Sequence, residues 1–112
     1  MIIDLHCHSV YSHDNHLEPD ALIRRACELG LDGVCFTEHH SMEASAPVER
    51  MNHPEGFLVL RGVEVSSDAG HVLVYGVPDD SWNRWGRRGY PNLSRLVNAV
   101  HELGGICVPA HP

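Results

Sequence analysis

Five short apolar runs, none long enough for a helix of its own, alternate with stretches of helical periodicity. The runs are Ile2–Leu5, Val34–Thr37, Phe57–Leu60 with its continuation Val63–Val65, Val72–Tyr75 and Ile106–Val108. Runs of this length between Gly, Pro and polar residues read as buried strands. Glu18-Pro19-Asp20 opens a helix, with acid and proline in the first turn, where the helix dipole and proline's missing N–H favour them. Leu22, Ile23, Ala26, Cys27 and Leu29 then recur at helical spacing, and Gly30 closes the helix. Met42–Met51 is a weaker helix, interrupted by Pro47. Asp79–Pro91 is a loop carrying two Trp and three Arg. Leu93–Leu103 is amphipathic, with Leu93, Leu96, Val97, Val100 and Leu103 on one face, and Gly104-Gly105 ends it. Strand–helix alternation predicts an α/β fold with parallel strands and crossover helices. Sites in such folds gather at the carboxyl ends of the strands.

The length of 112 residues suits one small domain, with no internal repeat and no linker dividing it. With 8 basic and 15 acidic side chains the formal charge is −7, which argues against a long nucleic acid as ligand. A small phosphorylated ligand or nucleotide stays compatible, because a metal can supply positive charge locally. Cys7, Cys27, Cys35 and Cys107 form no Cys-x-x-Cys pair, which argues against a zinc ribbon and against a thioredoxin-type motif. No signal peptide opens the chain and no apolar run approaches membrane-spanning length. The expectation is a cytoplasmic, reducing setting with no membrane partner. The chain stops at Pro109-Ala110-His111-Pro112, directly after a strand-like run, as expected of a C-terminally truncated sequence.

Histidine is the outlier, at 10 of 112 residues, and its placement matters more than its count. His6 and His8 follow the first run, His39 follows the second, Glu64 ends the third, and His111 follows the last. His71 opens the fourth and reaches the same edge if that strand runs antiparallel to its neighbours. His6 and His8, two residues apart, share one face of an extended segment, so both imidazoles can reach one metal. In Thr37-Glu38-His39-His40, adjacent histidines point apart, so one of them, His39, is the candidate ligand and His40 is unassigned. Glu38 is either a carboxylate that orients a ligand or a solvated acid. Glu64 lies between Val63 and Val65, where a carboxylate is costly unless paired or on a metal, and its two oxygens can bridge two cations. His13, in Tyr11-Ser12-His13-Asp14, is an intermediate candidate. His16, His53 and His101 are bystanders.

Asp4-Leu5-His6-Cys7-His8-Ser9, Thr37-Glu38-His39, Gly62-Val63-Glu64, His71-Val72-Leu73 and Pro109-Ala110-His111-Pro112 together resemble the PHP domain, the polymerase and histidinol phosphatase family. Their order and spacing match over the whole chain. The resemblance implies that residues 1–112 are the N-terminal part of a distorted (β/α)7 TIM-like barrel with two or three divalent metals at its mouth. It implies that His6 and His8 hold a first metal and that Glu64 bridges it to a second, completed by His71 and His111. His39 and His13 serve a third. The family's usual Thr-Asp-His is here Thr37-Glu38-His39, a change in a side chain not counted as a ligand. The family's late Asp-x-His motif has no counterpart in this chain.

Zinc, manganese or iron suits such a donor set. Clustered divalent ions lower the pKa of bound water and neutralise phosphate oxygens, the chemistry of phosphoester hydrolysis. The expected nucleophile is water beside Glu64, because Ser9 and Cys7 lack a base partner. Arg84, Arg87 and Arg88 are candidate phosphate contacts. Three readings compete: a phosphoesterase on a small phosphorylated metabolite or nucleotide, a polymerase-associated nuclease module, and a catalytically silent metal-binding module. The retained donor set and the acidic charge favour the first.

Overall fold

Each of the five apolar runs forms a strand in the computed structural model, which describes residues 1–85 and 90–112. In chain order the elements are β1 (Ile3–Cys7), α1 (Pro19–Glu28), β2 (Gly33–His39), a 3₁₀ helix (Glu43–Arg50), β3 (Leu58–Ser67), β4 (Gly70–Tyr75), a 3₁₀ turn (Asp80–Trp82), α2 (Leu93–Glu102) and β5 (Ile106–Pro109). One sequence expectation changes here. The weak helix is 3₁₀ rather than α, around Pro47, which lacks the N–H to continue an α-helical ladder. The third run and its continuation form one ten-residue strand through Gly62. A Cβ at Gly62 would lie 2.7 Å from the Val74 carbonyl oxygen and 3.0 Å from the Tyr75 ring, so glycine lets β4 close on β3.

The strands lie in the order β1-β2-β3-β4-β5. β1, β2 and β3 are parallel, and β4 is antiparallel to both β3 and β5. The reversal follows from the two-residue connection Asp68-Ala69, too short for a crossover helix. Gly70 takes φ +114° there, and the Ser67 hydroxyl donates to its carbonyl at 2.7 Å. The carboxyl ends of β1, β2, β3 and β5 therefore share an edge with the start of β4.

The sheet is strongly curled. Neighbouring strands lie about 4.8 Å apart, so β1 and β4 would stand roughly 14 Å apart in a flat sheet. Yet the Tyr75 hydroxyl on β4 donates to the Leu5 carbonyl on β1 at 2.7 Å. The rings of His6 and His111, at opposite margins, stack with centroids 5.8 Å apart. The described residues thus form a half-barrel whose margins are β1 and β5.

The hydrophobic core lies on the convex side. Val63, Val65, Val72 and Val74 pack against Leu96 and Val100 of α2 and against Trp82. Cys7, Val34 and Phe36 pack against Ile23 and Ala26 of α1, with Val48 and Phe57. Burying a large apolar side chain fully contributes about 1.5–3 kcal/mol. Trp82, in the loop Asp79–Pro91, is a core residue at 1% exposure. No helix among the described residues is long and apolar enough to cross a membrane.

Candidate metal centre

Valines fill the convex face of β3, so the strand's two-residue alternation turns Glu64 to the concave face. Glu64 lies within β3 rather than at its end, because the hairpin to β4 extends the strand to Ser67. In register it faces His39 on β2 and Leu73 on β4. Its carboxylate is 1% exposed, yet five imidazoles surround it.

The two oxygens divide these histidines. Oε2 is 2.6 Å from His8 Nε2, 2.9 Å from His6 Nε2 and 3.8 Å from His39 Nδ1. Oε1 is 2.9 Å from His71 Nδ1 and 3.2 Å from His111 Nε2. His6, His8 and Glu64 form one set of donor atoms within 4.8 Å of one another, and Glu64, His71 and His111 form a second. His71 reaches the edge from the start of the antiparallel β4, the condition its position in sequence required. His6 and His8 reach it past an irregularity in β1: register passes from Asp4↔Val34 to Cys7↔Phe36, three residues against two. The bulge leaves Cys7 in the cluster of Phe36 while both histidines meet Glu64. The His6 N–H donating to Asp4 Oδ1 at 3.0 Å holds this segment.

His39 joins a further group. Its Nε2 lies 3.1 Å from Asp14 Oδ2, and its ring stacks on His8 at 4.3 Å. His13, the residue expected beside it, stands with its ring centroid 5.5 Å away. Asp14 was missed by the sequence reading. The available signal was an acid directly after His13 in a loop that already held two candidates. His40 takes φ +65°, uncommon for a residue with a Cβ, while its N–H donates to the Glu64 carbonyl oxygen at 2.9 Å. Asp80 holds the chain beyond it, accepting from the Ser41 hydroxyl at 2.8 Å and the Met42 N–H at 2.6 Å. His16, His53 and His101 lie outside the cluster.

Burial pushes the Glu64 carboxyl up, but hydrogen bonds and charge from His6, then His71 and His8, outweigh it and hold it at about 2. Burial, then the charge of His39, lowers His8 and so favours the neutral imidazole that ligates metals. Cys7 and Cys35 are pushed up to about 12, mainly by burial, so their thiols are inert. Glu38 is fully buried, not solvated: it accepts from the Ser9 N–H at 2.8 Å, the Ser12 hydroxyl at 2.8 Å and the Ser9 hydroxyl at 2.5 Å. Arg84 pairs with Glu102 at the end of α2, and Arg87 and Arg88 lie outside the described residues.

The sequence profile of the PHP domain matches residues 4–104. The chain belongs to the PHP domain family. Among PHP-related proteins, one of Thermotoga maritima, provisionally named histidinol-phosphatase, is 34% identical over 102 residues, which is 90% of this chain and 40% of that protein. An error-prone DNA polymerase of Symbiobacterium thermophilum is 28% identical over 100 residues, 88% of this chain and 9% of the polymerase. The chain thus spans well under two thirds of these relatives. A solved structure from Bifidobacterium adolescentis, provisionally named a metal-dependent phosphoesterase, superposes with a TM-score of 0.65 at 19% identity. It covers 97% of this chain and 66% of its own, and establishes a shared fold.

Proposed function

We propose that this PHP domain is the metal-binding part of a hydrolase that cleaves phosphate esters of a small metabolite or nucleotide. The observation that carries the reading is one buried carboxylate presenting each oxygen to a separate histidine set. The donor chemistry fits divalent cations. The Nε2 atoms of His6 and His8 converge to 3.2 Å beside an anionic oxygen, an arrangement that a shared cation satisfies. His6, His8 and Glu64 would hold one ion, Glu64, His71 and His111 a second, and His39 with His13 or Asp14 a third. Imidazole and carboxylate donors suit zinc, manganese or iron. Ions bound there supply charge for the phosphate oxygens and acidify water.

The chain's own groups do the rest. The concave face and the buried Glu64 hold the donors in place before substrate arrives. Neither Ser9 nor Cys7 competes as nucleophile: Ser9 is fully buried with its hydroxyl held by Glu38, and the Cys7 thiol is buried and protonated. Water is then the attacking group, with Glu64 beside it. The names of the histidinol-phosphatase relative and of the structural neighbour support this reading. The polymerase relative supports a second, in which the same centre trims DNA ends. The formal charge of −7 disfavours it.

The test is hydrolysis of p-nitrophenyl phosphate, histidinol phosphate and single-stranded DNA, with and without manganese. Metal-dependent release of phosphate, abolished by Glu64→Gln, is expected. No metal-dependent turnover on any of them would sink the enzymatic reading and leave a silent metal-binding module.

A further inference from the structure

We propose that Ser12, anchored by the buried Glu38, is a positioning residue that fixes the orientation and tautomer of His8. The inference rests on the reading of His8 as a metal ligand. Glu38 sits one residue from His39 on β2 and so points to the opposite face, behind the loop that joins β1 to α1. A buried carboxylate is costly unless its lone pairs are used. Here all three of its donors belong to that loop: the Ser9 N–H, the Ser9 hydroxyl and the Ser12 hydroxyl.

The proton count decides the rest. A serine hydroxyl has one proton, and Ser12 directs it to Glu38 Oε1 at 2.8 Å, an oxygen that only accepts. The lone pairs of Ser12 Oγ then face two donors. One is the backbone N–H of His39 at 3.1 Å. The other is His8 Nδ1 at 3.4 Å, which can complete the arrangement only as an N–H. His8 Nε2 is left as the ligating nitrogen, and it is the one that lies 2.6 Å from Glu64 and 3.2 Å from His6. Ser12 therefore ties together His8, the backbone of His39 and Glu38. Glu38's length, which seemed inconsequential in sequence, lets it reach all three donors.

The test compares zinc and manganese affinity, by competition with a chelator, in Ser12→Ala, Ser12→Cys, His8→Ala and Ser45→Ala. Ser45 is a buried serine that bonds the Met42 carbonyl, and its variant reports the generic loss of a buried hydroxyl. Ser12→Ala and Ser12→Cys should weaken metal binding by about 10- to 100-fold, the range for partners that orient a ligand, with Ser45→Ala within about threefold of wild type. Circular dichroism checks folding, and Ser12→Cys keeps the volume if Ser12→Ala unfolds. If His8→Ala abolishes binding while both Ser12 variants bind normally, the positioning role is wrong and the ligand reading stands. If His8→Ala binds normally, both fall. Independently of any variant, two-bond ¹H–¹⁵N spectra of the zinc-loaded protein should place the His8 proton on Nδ1. A proton on Nε2 overturns the proposal.

Discussion

The two oxygens of Glu64 face unlike halves of the same centre. On the Oε2 side, His6, His8 and His39 come from the carboxyl ends of parallel strands, with side-chain exposures of 28%, 19% and 12%. Behind them lies the fully buried Glu38 network. On the Oε1 side, His71 starts an antiparallel strand and His111 lies beyond β5, with exposures of 40% and 55%. His111 has one other polar contact among the described residues, to the Pro112 carbonyl at 3.4 Å. One half is enclosed and tied into a buried hydrogen-bond network, and the other is open to solvent. On the proposed function, the enclosed half is expected to set metal affinity and the open half to admit substrate.

Ligand removal is the strongest way to break that contrast. His8→Ala should lower metal affinity at least about 100-fold, and His111→Ala about tenfold, measured by calorimetric titration. Equal losses would erase the distinction between the halves. Gly62→Ala attacks the joint, since the added Cβ meets the Val74 carbonyl oxygen at 2.7 Å. It should cost about 1–3 kcal/mol in denaturant unfolding. It should also cost the His71 side its metal before the His6 and His8 side, which metal stoichiometry would show.

A milder test concerns alkaline pH. Burial pushes the Cys35 thiol and the Tyr75 phenol up to about 12, from ordinary values near 9 and 10. The folded state keeps both neutral while the unfolded chain ionises first. Their contribution to stability is intact below pH 9 and is lost as pH rises from there toward 12. Melting temperature followed from pH 8 to 11 should fall. A flat profile would place these groups in contact with solvent. The smallest effect is expected at Arg84, whose charge is already paired with Glu102. Arg84→Ala should shift the melting temperature by less than about 2 °C and leave KM within about twofold. A tenfold rise in KM would return Arg84 to the substrate site.

Much of this arrangement was legible in sequence, because it rests on local pattern. The apolar runs marked the strands, and His6, His8, His39 and His111 stood where those runs stop. Even the direction of β4 followed from asking how His71 could reach the others. What escaped depends on partners distant in the chain. The β1 bulge is a mismatch of count between two strands, and neither strand carries it alone. Glu38 read as either a carboxylate that orients a ligand or a solvated acid, because its donors, Ser9 and Ser12, lie 26 to 29 residues away. Asp14 was passed over for its neighbour His13, since loop geometry, not periodicity, chooses which of two adjacent side chains faces His39. Trp82 lay in a loop of no assigned role, and only the packing of α2 on the sheet makes it a core residue.

The hydrogen bond from Tyr75 to Leu5 gives the sheet a mechanical character. It spans the hollow between β1 and β4 like a tie across an arch, while the histidines sit on the two flanks of that arch. Flattening the sheet would draw His6 and His8 away from His71 and His111, so on the proposed function curvature and metal affinity share one coordinate. By linkage, whatever splays the arch must loosen the ions, and whatever ions bind must stiffen the arch by the same free energy.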